Sequence, residues 1–158
     1  MVETKSGTDK AGLGGWLLVW LILTCLGLIR FLHDIDLHIF ENADSLTNPD
    51  SPFYHPLWKP LLIFEYVLQF LNPISFAALI FLYACRSRFF PNTVIVIYAA
   101  NFALVLLDTV SALLLAKSVN LPFQFPWKEI FRSLFGVCVW IPYFLKSERV
   151  KATFVKIK

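Results

Sequence analysis

Residues 61–83 read LLIFEYVLQFLNPISFAALIFLY, a run whose only side chains more polar than tyrosine are Glu65, Gln69, Asn72 and Ser75. A helix rises about 1.5 Å per residue and the hydrocarbon core of a bilayer is about 30 Å thick, so about 20 such residues cross it. Working outward, three further stretches have the same character: Leu13–Leu32, Thr93–Ala116 and Trp127–Leu145. With Leu61–Tyr83 they predict four transmembrane helices in a single domain over residues 1–158, joined by a loop at 33–60 and closed by a tail at 146–158. Backbone polar groups find no water in lipid and must be satisfied within the span. The expected fold is therefore an all-α polytopic membrane bundle.

Composition points the same way. Hydrophobic residues make up 58% of the chain and charged residues 16%, where a water-soluble domain carries about 25% charge. A net charge of +3, with basic residues in no stripe or groove, excludes nucleic acid as a partner. Cys25, Cys85 and Cys138 lie in or at the edges of spans, with neither the pairing of a disulfide framework nor the spacing of a zinc site. They read as packing residues. The first apolar run is also longer than the about 7–15-residue core of a signal peptide, which favours a retained span.

Orientation follows from the lysines and arginines. Lys5, Lys10, Arg86, Arg88, Lys146, Arg149, Lys151, Lys156 and Lys158 fall on one side, nine in all, against Arg30, Lys59, Lys117, Lys128 and Arg132 on the other. Basic residues are retained in the cytoplasm. Both termini are therefore expected to be cytoplasmic, and the acidic 33–60 loop outside. Within that loop Asp34, Asp36 and His38 share one edge of an extended segment next to His33, residue types that can hold a divalent metal. The simpler reading is an interfacial segment with its charges in water, and no metal is assigned.

Inside the spans, polar residues keep helical spacing. Glu65, Gln69 and Asn72 share one face of the second span, and Asn101 and Asp108 one face of the third. Arg132 lies one turn into the fourth span and Arg30 closes the first. In the expected topology Arg30, Glu65, Asp108 and Arg132 fall in the outer third of the membrane. An uncompensated charge costs about 2.5–3.5 kcal/mol at the membrane centre, less toward its edge, so interhelical ion pairing is expected. These seven residues form either a dry clamp or a polar pocket. Pro73 removes the donor for the Gln69 carbonyl on the same face.

No hydrolytic or transfer motif is present, no histidine lies deep in a span, and no catalytic residue or cofactor is assigned. In the tail, Lys146, Arg149 and Lys151 are expected to touch anionic lipid at the membrane surface.

Gly14-Gly15-Trp16-Leu17 at the start, Ile141-Pro142-Tyr143-Phe144 near the end, and the following Ser147-Glu148-Arg149-Val150-Lys151-Ala152-Thr153-Phe154-Val155 resemble a family of small bacterial inner-membrane proteins, domain of unknown function 2569. The resemblance implies four helices in a bacterial inner (cytoplasmic) membrane. It implies no activity and no site residues. The sequence thus reads as a non-enzymatic accessory or interaction protein, in contact with lipid and with another membrane protein. The alternative is a small carrier, or a solute- or lipid-binding protein, using the outer polar pocket. A carrier needs a cavity reaching past Asp108 toward Asn101; a scaffold needs those groups packed dry.

Overall fold

The computed structural model of the protein describes residues 14–33, 35 and 43–155, and every regular element among them is helical. Asp34, Asp36 and His38, with the basic residues of the leader and the last two lysines, lie outside the described residues. Helix α1 spans Trp16–His33, a short α2 Asp44–Thr47, α3 Trp58–Ala84 and α4 Phe90–Ser118. Helix α5 (Trp127–Phe135) continues through a π-helical turn at Gly136–Trp140 into α6 (Ile141–Lys146). Helix α7 (Glu148–Val150) and a second π turn, Lys151–Val155, follow. Helices α1, α3 and α4 are each long and apolar enough to cross a membrane. Trp127–Lys146 and Glu148–Phe154, bent by 59° at Ser147, make a fourth candidate when taken together. The chain is an all-α polytopic membrane protein.

Prolines and left-handed residues set the helix boundaries. Pro91 and Pro142 sit in the first turn of α4 and of α6, where a missing N–H costs least. The π turn immediately precedes Pro142, which cannot donate to the carbonyl of Cys138. Pro73 is buried within α3, whose helix continues unbroken from Trp58 to Ala84. Beyond the end of α4, Asn120 adopts φ 54°, and the Leu121 N–H donates to the Ala116 carbonyl at 2.8 Å. That arrangement satisfies a carbonyl the helix leaves open.

Packing is uneven along the bundle. Helix α1 packs on α3, α3 on α4, and α4 on the α5–π–α6 segment. At one end Leu17, Trp20, Leu79, Tyr83, Phe90 and Phe144 form the main core. The Phe90 ring lies 4.6 Å from Phe154, 5.2 Å from Trp20 and 5.5 Å from Phe144. Contacts this dense supply the dispersion that holds helices together where lipid is as apolar as leucine. At the other end the smaller cluster of Trp58, Leu61, Leu115 and Ala116 joins α3 to α4, with Leu46 of α2, Leu121 and Phe123 packed against it. Toward that end the four spans leave space between them.

The apolar residues of the tail meet protein. Ser147 takes an extended conformation (φ −66°, ψ 118°) that stops α6, and its hydroxyl accepts the Val150 N–H at 3.4 Å to open α7. The chain turns back, and Val150 and Phe154 enter the main core at 1% and 0% exposure. Residues four apart share a helix face, and here that face meets protein instead of lipid. Arg149 is also redirected. Gly15 has φ 66°, and a Cβ built there would stand 2.6 Å from the Arg149 guanidinium, which therefore lies over the Gly14–Gly15 backbone. Lys146 and Lys151 remain exposed.

Candidate functional site

Each of the four spans turns one stripe of residues toward a common space. On α1 the stripe is Leu23, Thr24, Gly27, Arg30 and Phe31; on α3 it is Glu65, Leu68, Gln69, Asn72 and Phe76. On α4 it is Tyr98, Asn101, Val105 and Asp108; on the fourth span Glu129, Arg132, Ser133, Phe135, Gly136 and Trp140. The spacings are those of a single helix face repeated over three to four turns. Together with Ile35 these residues enclose a cavity of about 640 Å³. That volume lies within the range of about 300–1,000 Å³ common for small-ligand sites.

All seven residues singled out in the sequence line this one cavity: Arg30, Glu65, Gln69, Asn72, Asn101, Asp108 and Arg132. Eight more polar or aromatic members were not anticipated, namely Thr24, Phe31, Phe76, Tyr98, Glu129, Ser133, Phe135 and Trp140. Tyr98 carries a readable signal, because it is three residues before Asn101 and so shares its helix face. The two hydroxyls are occupied by their own helices. Thr24 donates to the Trp20 carbonyl at 2.8 Å and Ser133 to the Ile130 carbonyl at 3.0 Å.

Layering along the axis is visible from helix rise. Counted from the nearest helix end, Arg30 lies about 5 Å in, Arg132 about 8 Å, Glu65 about 10 Å and Asp108 about 15 Å. The arginines are exposed at the rim, whereas Glu65 and Asp108 are partly buried beneath them. The amides of Gln69, Asn72 and Asn101 lie deeper still on α3 and α4, above Tyr98, Phe76 and Trp140. Phe76 and Tyr98 meet edge to face at 6.0 Å, and Gly136 brings the π turn against the Tyr98 ring, where a Cβ would stand 2.7 Å away.

The expected interhelical ion pairs are not formed. Among the described residues no ion pair joins Glu65 or Asp108 to Arg30 or Arg132. Arg30 has a partner of its own. Glu65 and Asp108, of like charge, line the same cavity from two helices. One Asp108 carboxylate oxygen is wholly shielded from solvent with no hydrogen-bond partner. The reason is rotational: depth along a helix fixes which charges are level, but contact also requires side chains to span the space between helices. Here the space is a cavity, and the charges line its wall.

The sequence profile of the family described as "Protein of unknown function (DUF2569)" matches residues 10–155. No curated protein and no solved structure matches the chain.

Proposed function

We propose that this chain, which belongs to the DUF2569 family, is a non-enzymatic integral membrane protein that binds a small polar ligand inside its helical bundle. A cavity of about 640 Å³ that reaches past Asp108 to Asn101 and Tyr98 is the observation that carries this reading. A scaffold whose polar groups only fix helix register would close them upon one another, since an unmet polar group in the membrane is costly. A carrier or binding protein needs the space. The sequence alone favoured the accessory role; the cavity moves the preference to binding.

We place the protein in a bacterial inner membrane with both termini in the cytoplasm, on the basic-residue asymmetry and the family resemblance. The cavity then faces the outer half of the bilayer. The polar lining supplies charge and hydrogen bonding to a bound ligand. Lipid surrounds the exposed apolar faces of α1, α3 and α4, represented by Leu26, Val67 and Val110.

Solute access tests the reading. In a chain with Cys25, Cys85 and Cys138 replaced, Asn101→Cys is exposed to a small hydrophilic methanethiosulfonate in lipid nanodiscs. Modification at a rate well above that of a cysteine at lipid-facing Val110 is expected. A thiol at 101 that resists the reagent as completely as one at 110 would contradict it.

A further inference from the structure

We infer that the cavity takes an organic cation, a small ammonium-bearing solute whose charge rests between Glu65 and Asp108. This rests on the binding reading above and deepens it. The lining carries three carboxylates, Glu65, Asp108 and Glu129, against two arginines, Arg30 and Arg132. Glu129 and both arginines are exposed at the rim. The deeper pair stands on two different helices facing one cavity, and one Asp108 carboxylate oxygen is shielded from solvent with no hydrogen-bond partner. Two carboxylates in such a place are stabilised by a positive charge brought to them.

The shape of the site narrows the cation. Among the described residues no three His, Cys, Asp or Glu side chains stand close enough to hold a metal ion together. Hard divalent cations take six or more oxygen ligands, usually with several carboxylates among them. An ammonium asks for less: an opposite charge, a few acceptors and, for its carbon body, an apolar or aromatic wall. The amide oxygens of Asn72 and Asn101 supply acceptors, and Tyr98 and Trp140 present rings to the same space. The arginines at the rim disfavour a second positive charge there and suit a ligand whose outer end is neutral or anionic.

The test compares 1-butylamine, butyrate and 1-butanol, at matched ionic strength and neutral pH, on the full chain in nanodiscs. The readout is the unfolding temperature followed by tryptophan fluorescence. Butylammonium is expected to raise it by a saturable increment, with butyrate and butanol inactive. Glu65→Gln and Asp108→Asn should each abolish the increment while Lys151→Gln, at an exposed position outside the cavity lining, keeps it. Because a carboxylate variant can fail to fold, the same ligands are also tested for protection of Asn101→Cys, whose carboxylates are intact. Slower modification with butylammonium alone is the expected result. Protection by butyrate in its place would overturn the cation assignment and leave a binding cavity that takes anions. A reactive thiol protected by none of the three would overturn it too. An unreactive thiol would instead remove the binding reading beneath it.

Discussion

Gly15 and Arg149 come from opposite ends of the chain and meet at one point. The glycine is left-handed at φ 66°, a conformation that costs other residues about 1–2 kcal/mol. Its missing Cβ is also what leaves room for the guanidinium. Gly15→Ala should therefore destabilise the bundle by about 1–2 kcal/mol from backbone strain, with displacement of Arg149 in addition. Combined with Arg149→Ala, the steric part disappears, so the two changes should cost less together than their sum in detergent unfolding curves. Gly136 stands in the same relation to Tyr98, at 2.7 Å. Gly136→Ala should cost about 1–3 kcal/mol by overpacking, and Tyr98→Leu in the same chain should recover part of it.

At the scale of elements, the tail carries the clearest prediction. Phe154 is fully buried and lies 4.6 Å from Phe90, so the segment after Ser147 closes the core at that end. Phe154→Ala should lower stability by about 3–5 kcal/mol, whereas Lys151→Ala, at an exposed position, should change it by less than about 0.5 kcal/mol. Equal, small effects for both would return the tail to the membrane surface. The long helices were legible because an apolar run of that length has few other uses. The tail was not. Its apolar Val150 and Phe154 are one turn apart, but three basic residues among them read equally as a lipid-surface segment. Only the bend at Ser147, a tertiary event, separates the two.

For the whole molecule, the seven polar residues of the sequence reading were recoverable because helical spacing alone assigns them to faces, and α1, α3, α4 and the fourth span turn those faces inward. Their lack of pairing was not recoverable. Sequence gives the depth of Arg30, Glu65, Asp108 and Arg132 but not the width of the space between helices, and an ion pair needs about 4 Å or less between its charged atoms. Orientation is tested separately. In a cysteine-free chain, Asp44→Cys should react with an impermeant maleimide added outside spheroplasts and Lys151→Cys should not; the reverse pattern would invert the topology.

The central claim is that the deep carboxylates have no counter-charge among the described residues, and Asp108→Asn tests it most directly. Removing one member of a buried ion pair typically costs about 3–5 kcal/mol because the other charge is left alone. Here no cation among the described residues is abandoned, and one of two like charges lining the same cavity is removed. The unfolding free energy of Asp108→Asn in ligand-free detergent is therefore predicted to equal or exceed that of the parent chain. A loss of about 3 kcal/mol or more would mean that Asp108 is clamped by a partner, and would contradict the cavity account.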